Sequence, residues 1–235
     1  MDLSGKHVLV TGGGGALGHA VADAAAAAGA RVTRFDRAFP PALAGRDDCR
    51  VVELGDADAV AAAVAAATAA LGPIDALCNI AGGFDMGAGV ADADDAQWQA
   101  MFALNVATLR HLLKAVVPGM RARHAGAVVN VGALSAVSGK PAMSAYTASK
   151  AVVMNLTEAL AAEVAADGVR ANAVLPSIID TPANRAAMPA ADPAAWVAAT
   201  DIAAVICFLC SDAGRAINGA LIPLAGAQGR HRMGA

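Results

Sequence analysis

Short β-branched runs alternate with longer alanine-rich stretches along this chain, and the alternation predicts its elements in order. Residues 7–10 read as a strand, 17–28 as a helix and 31–36 as a second strand. Residues 50–54 follow as a third strand, 57–71 as a helix and 74–79 as a fourth strand. A long helical stretch from about Asp95 to Arg123, bent or ended near Pro118, leads into a strand at 127–131. Next come a helix at 144–166, a strand at 169–175, a helix at 201–210 and a last strand at 220–224. Apolar strands separated by crossover helices require a parallel sheet covered on both faces. No linker composition and no repeat intervenes, so the expected fold is α/β, a single doubly wound domain over residues 1–235. Its cofactor half is about 1–125 and its catalytic and substrate-lid half about 126–235. The polar, proline-spaced segment 176–200 is the least regular long stretch, and it is expected to serve as a lid or binding segment.

Composition narrows the function classes. Hydrophobic residues make up 57% of the chain and charged residues 16%, which excludes disorder and supports a sizeable core. A net charge of −3 argues against a nucleic-acid surface and against a polybasic membrane patch. The longest uncharged alanine-rich run, 59–71, is bounded by Asp58 and Gly72 and falls short of the ~20 residues a membrane span needs. Residues 1–6 lack the apolar stretch of a signal peptide, so a cytoplasmic location is expected. Cys207 and Cys210 form a C-x-x-C spacing inside an apolar run, where positions three apart share a helix face. With no second pair nearby, buried packing is the expectation rather than zinc or redox chemistry. The histidines at 7, 19, 111, 124 and 231 form no ligand spacing, and no metal site is expected.

Candidate chemistry begins after the first strand, where Val8, Leu9 and Val10 lead into Thr11-Gly12-Gly13-Gly14-Gly15-Ala16-Leu17-Gly18 and then a helix. Strand, glycine turn and helix in that order suit a dinucleotide. Glycines admit the pyrophosphate to the backbone, and the helix N-terminus offers unpaired N–H groups and a positive dipole. Asp36 ends the second strand 18 residues beyond Gly18, near the ~20 expected of an acid that binds the adenosine ribose. Its carboxylate would repel a 2′-phosphate, which predicts NAD(H) as the preferred cofactor. Arg34 and Arg37 flank it and keep NADP(H) open.

Tyr146, the only tyrosine, precedes Lys150 by four residues, which places a phenol and an ammonium on one helical face. A free tyrosine has a pKa of ~10, too high for proton transfer at neutral pH. A neighbouring cation is expected to lower it and make a proton donor and acceptor.

These pieces together resemble the short-chain dehydrogenase/reductase family over nearly the whole chain. The resemblance rests on the turn at 11–18, Asn79-Ile80-Ala81-Gly82, Asn105 in the long helix, Tyr146-x-x-x-Lys150, and residues 176–181. It implies a Rossmann-type sheet of about seven parallel strands, with Tyr146 as acid/base. Lys150 would bond the nicotinamide ribose, and Asn105 would hold a water in a proton relay. The cofactor set it implies is Gly12, Gly15, Ala16, Leu17, Gly18, Asp36, Leu54, Asn79, Ala81, Gly82, Pro176, Ile178 and Thr181, together with Tyr146 and Lys150.

Three positions depart from the family pattern. Ala16 replaces the second glycine of the turn, Ser177 replaces the glycine after the proline, and Ala133 stands where the catalytic serine belongs. Ser135, two residues on, would point to the same side in an extended strand and can substitute; Ser138 is the weaker candidate. Gly132-Ala133, Ala81-Gly82-Gly83 and the tract from Leu175 through Trp196 resemble dihydropteridine reductases, which use NADH on a quinonoid pterin without that serine. Asn105 points away from that branch.

The expected function is therefore NAD(H)-dependent hydride transfer to or from a small C=O or C=N substrate. Pterin reduction is the alternative, and a catalytically silent nucleotide-binding sensor is the reading from another class. The expected substrate pocket comprises Gly83, Phe84, Leu134, Ser135, Met143, Ala183, Met188 and Trp196, with Trp196 either stacking on substrate or anchoring the lid. The resemblance also implies a homodimer or homotetramer. The tail from Arg230 to Ala235 is expected to be mobile or to lie across a neighbour's site.

Overall fold

The central strands of this chain are buried along nearly their whole length, so helices must cover both of their faces. In the computed structural model, which describes residues 1–226, β1 (His7–Thr11) is buried at every position. β2 (Arg31–Asp36), β3 (Cys49–Val51), β4 (Ala76–Asn79), β5 (Gly126–Val131) and β6 (Val169–Pro176) follow it in the chain. The short β7 (Ile179–Asp180) and β8 (Val197–Ala198) pair with each other, and β9 (Leu221–Leu224) returns to the main sheet. That sheet has seven parallel strands in the order β3-β2-β1-β4-β5-β6-β9. It is a Rossmann-like α/β domain, as the alternation predicts.

Because successive side chains point to opposite faces of a strand, β1 serves two cores. Val8 and Val10 pack with Val21 and Ala25 of α1 (Ala16–Ala27). Leu9 joins Val60 and Val64 of α2 (Ala57–Leu71) on the other face. α3 (Asp95–Phe102), α4 (Thr108–Ala122), α5 (Ser144–Val164), the short α6 (Pro182–Ala187) and α7 (Ala199–Cys210) complete the helices. α4 and α5 lie on the Leu9 face and α7 lies on the Val8 face. Capping is read directly from the sequence at α2. There Asp56 accepts from the N–H groups of Asp58 and Ala59, and Gly72 closes the helix at φ 82°.

Four expectations are corrected. The long helix is interrupted not at Pro118 but by a π-turn at Ala103–Ala107, and Pro118 lies inside α4. Pro118 is tolerated because the carbonyl it leaves unpaired belongs to exposed Lys114, on the solvent side. The third strand spans only Cys49–Val51. Val52 and Leu54 turn into the core beyond it, since only β2 offers this edge strand a partner. The segment after β6 is not irregular throughout, because the β7–β8 pair stitches its two ends together around α6. The last long helix begins at Ala199, two residues earlier than expected.

The composite helix Asp95–Ala122 is long and apolar enough to cross a membrane by length and composition. Here Leu112, Val116 and Met120 pack it into the core. Cys207 and Cys210 are buried in α7, and the Cys210 sulfur lies 3.6 Å from that of Cys78 on β4. Burial pushes the Cys207 thiol up to about 12, as fits packing rather than redox work. At the far end of the described chain, a Cβ on Gly226 would collide with the backbone carbonyls of Ala195 and Trp196, so the chain crosses directly over the turn before β8. The predicted tail at 230–235 lies outside the described residues.

Candidate active site

β1 lies between β2 and β4, so the order of strands reverses there and a crevice opens at their carboxyl ends. Thr11, the last residue of β1, holds the opposite wall. Its hydroxyl accepts from the N–H groups of Ile80 and Ala81, both at 3.1 Å. The glycine turn fills the space between. Gly12 takes φ 66°, and a Cβ there would meet the Ala81 nitrogen at 3.0 Å. A Cβ on Gly18 would collide with the Gly12 carbonyl, so α1 can approach the turn only with glycine at that position. Ala16, by contrast, is exposed at the first position of α1, where its methyl meets no obstacle.

No side chain caps α1 and no acid occupies its first turn, whereas α2 and α3 are capped by Asp56 and Asp94. An uncapped N-terminus beside a glycine turn is a cradle for a dinucleotide pyrophosphate, and the residues fit that group. Asp36 stands at its edge, with one carboxylate oxygen accepting from Gly14 N–H at 2.9 Å and the other from Arg37 N–H at 2.8 Å. Arg34 faces elsewhere. Its guanidinium is 1% exposed and reaches Asp23 at 2.6 Å and Asp48 at 2.8 Å, with His19 at 3.2 Å. Arg34 therefore braces the turn from below and is not available to a phosphate in the crevice.

The catalytic candidates converge from three elements. The π-turn turns Asn105 inward, where its carbonyl oxygen accepts from Gly83 N–H at 2.9 Å. Its amide donates to Gly83 C=O at 3.1 Å and to the Ser149 hydroxyl at 3.0 Å. π-Turns of this kind recur at functional sites because one extra residue re-aims a side chain. Ser149 in turn donates to the Tyr146 carbonyl at 2.8 Å. Lys150 donates to the Val131 carbonyl at 2.9 Å. A Cβ on Gly82 would lie 2.7 Å from the Asn105 oxygen and 3.1 Å from the Lys150 nitrogen, so these three residues meet at one point. Burial pushes the Tyr146 phenol up to about 12 and the Lys150 ammonium down to about 8. The expected lowering of the phenol by its lysine is thus not seen in the protein alone. Desolvation dominates both groups, and the ammonium spends its hydrogen bond on a carbonyl.

The rim residues divide. Phe84 packs edge-on to Tyr146, with ring centroids 4.9 Å apart and planes at 77°. Gly83, Leu134, Met143 and Met188 are half-buried, while Ala183 is exposed on α6. Trp196 is 7% exposed beneath the chain at Gly226, so the structure buries it and leaves it little surface to offer a substrate. Ala133 is extended and buried, but Ser135 lies in a 3₁₀ turn over Leu134–Val137. The alternation that would have aimed Ser135 to the same side does not operate there. Ser138 is exposed beyond that turn. The Thr181 hydroxyl caps α6, accepting from Asn184 N–H at 3.1 Å. Pro176 is buried in the sheet, and Ile178 is exposed after it. Leu54 is buried, with its carbonyl bonded to His111 at 3.0 Å. Asn79 bonds Asn130 at 2.9 Å through its amide nitrogen.

Sequence reasoning missed Ser149, which couples Asn105 to the tyrosine's helix, and the bracing role of Arg34. Ser149 was detectable as a polar residue on the inward face of a helix that also carries Val153 and Leu160.

A crevice at the strand-order reversal, a glycine cradle and a half-buried Tyr146 one helical turn from buried Lys150 define a nicotinamide-dependent oxidoreductase. The chain belongs to the short chain dehydrogenase family, whose profile it matches over residues 6–192. It is 38% identical over 205 residues to the 2-keto-3-deoxy-L-fuconate dehydrogenase of Xanthomonas campestris, covering 85% of this chain and 68% of the relative. It is 38% identical over 190 residues to the 2,3-dihydro-2,3-dihydroxybenzoate dehydrogenase of Escherichia coli, covering 79% and 74%. Among solved structures, NAD+-bound xylitol dehydrogenase superposes with a TM-score of 0.87 at 27% identity, covering 97% of this chain and 100% of that one. The protein is accordingly an NAD(P)-dependent oxidoreductase. The relatives are dehydrogenases of varied substrates, and none of these three is a pterin reductase.

Proposed function

We propose that the protein exchanges a hydride between NAD(H) and a small C=O or C=N substrate, with Tyr146 as acid/base assisted by Lys150 and Asn105. The observation that carries this reading is the meeting of Asn105 and Lys150 at Gly82, one helical turn from Tyr146, beside the glycine cradle. Bound in the crevice, the nicotinamide supplies or accepts the hydride. Tyr146 donates its proton to the substrate oxygen or nitrogen as the adjacent carbon gains hydride, and takes it back in the reverse direction. The Lys150 ammonium stabilises the phenolate left behind. Asn105 fixes the backbone at Gly83, and through Ser149 it is tied to the turn that bears Tyr146.

Asp36 at the cradle's edge and the engagement of Arg34 with Asp23 and Asp48 support NAD(H) over NADP(H). Ala133 favours a second reading, reduction of a quinonoid pterin, because a conjugated C=N group needs no hydroxyl to orient a carbonyl. For a carbonyl substrate the hydroxyls at hand are Ser135, in the 3₁₀ turn after Ala133, and exposed Ser138 beyond it. The reading also includes a cytoplasmic homodimer or homotetramer, which light scattering tests.

Activity with each cofactor and with Tyr146→Phe tests the core of the proposal. We expect kcat/KM for NADH to exceed that for NADPH. The variant should keep NADH binding in a fluorescence titration while losing about 10²–10⁴-fold in kcat. Tight NADH binding by the wild type without turnover of ketones, diketones or quinonoid pterins would favour the silent sensor.

A further inference from the structure

We propose that Phe84 is a positioning and specificity-determining residue: packed edge-on against Tyr146 at the head of an apolar rim, it fits the site to flat, conjugated ring substrates and not to acyclic polyols. This inference rests on the reading of Tyr146 as acid/base.

The first observation is where apolar surface remains uncovered. Among the described residues the exposed large hydrophobic side chains are Met1, Val51, Phe84, Met86, Val90, Val137 and Ile178. Phe84, Met86 and Val90 follow β4, Val137 follows β5 and Ile178 follows β6, so five of the seven lie on loops at the carboxyl edge that carries Tyr146. Exposed apolar groups scattered singly need no explanation, but five on the loops of one sheet edge, with Phe84 against Tyr146, offer apolar cover to a ligand on that side.

The second observation is that Phe84 is held. Asn105 clamps Gly83 through both its N–H and its C=O, and Gly87 N–H donates to Ala142 C=O at 2.8 Å. Fixed at both ends, the loop keeps a 56% exposed ring against the phenol, and that ring is preorganised for a partner. Three charged groups of the nearby loops are already engaged. Asp180 and Arg185 form a two-pronged pair at 2.6 and 2.7 Å, and Asp85 accepts from Gln97 at 3.0 Å. A polyol entering here would give up water at every hydroxyl for few partners, whereas a flat ring would cover Phe84 and its apolar neighbours. Phe84 also shields the phenol from water, in keeping with the raised proton affinity that burial gives Tyr146.

The test uses NADH with two ketone probes, isatin as the flat ring and D-xylulose as the acyclic polyol. In each reaction hydride from NADH adds to the carbonyl carbon, the oxygen takes the Tyr146 proton, and NAD+ is released. Wild type should prefer isatin in kcat/KM. Phe84→Ala should raise KM for isatin about tenfold, the loss expected when one aromatic contact is removed, and raise that for D-xylulose far less. Phe84→Leu, which keeps apolar cover without a ring, should fall between. Because Tyr146 is the only tyrosine, tyrosinate absorbance reports its ionisation alone. Phe84→Ala should lower that midpoint by about one pH unit as water reaches the phenol. Preference for D-xylulose, an equal loss on both probes, or an unmoved midpoint would each overturn the inference while NADH still binds. Failure to bind NADH in a fluorescence titration would overturn the functional reading and carry this one with it.

Discussion

Lys150 is 6% exposed and its ammonium has one carbonyl partner, so the folded chain holds its charge at a cost that pH can relieve. Its pKa falls from 10.5 to about 8 on folding. Between those values the unfolded chain keeps a proton that the folded chain has released, so this residue's contribution to stability grows as pH rises from 8. Tyr146 acts in the opposite sense, since a phenol raised from 10 to about 12 loses its contribution only as pH climbs through that interval. The two windows separate below pH 10. Cofactor-free wild type should therefore gain about 2–3 kcal/mol relative to Lys150→Met between pH 8 and 10, read by urea unfolding. The Tyr146–Lys150 spacing was legible in the sequence, but the direction of the phenol's shift was not. Burial is a property of what packs over a side chain, and the loop bearing Phe84 lies 62 residues away in the chain.

Glycine positions show what separates two elements that look alike on paper. Gly18 and Ala16 both belong to the turn motif, yet only Gly18 faces the Gly12 carbonyl. Gly18→Ala should cost about 1–3 kcal/mol through overpacking and weaken NADH binding. Ala16→Gly should leave NADH binding unchanged and cost at most about 1 kcal/mol from helix propensity. Thermal melts and fluorescence titration read both variants. Periodicity also located α1, α2 and the strands to within a few residues, because each buries a continuous face. It misplaced the break in the long helix. Proline is a strong local signal, while the π-turn at Asn105 depends on a partner, Gly83, that arrives from another strand's loop. The turn after β5 also escaped, and with it the aim of Ser135, because one local bond from Ala136 N–H to Ala133 C=O replaces the extended strand that the alternation assumes.

Across the whole molecule a parallel sheet covered on both faces was available from the alternation of elements, whereas the order of its strands was not, because the same alternation is compatible with more than one order. The lid was legible as a segment but not as a structure, since β7 and β8 become strands only by meeting each other. A ligand that binds only the folded form adds stability by mass action. NADH at one hundred times its Kd should therefore raise the unfolding free energy by about 2.7 kcal/mol, and NADPH at the same concentration by less. Calorimetric melts at fixed protein concentration read that difference. At the Gly226 crossing the backbone rests on Ala195 and Trp196 with no room for a side chain, so this one position sets how closely the chain after β9 can seat on the turn before β8. Trp196 keeps its burial only while position 226 carries no side chain, so a single missing methyl holds a large aromatic ring out of water.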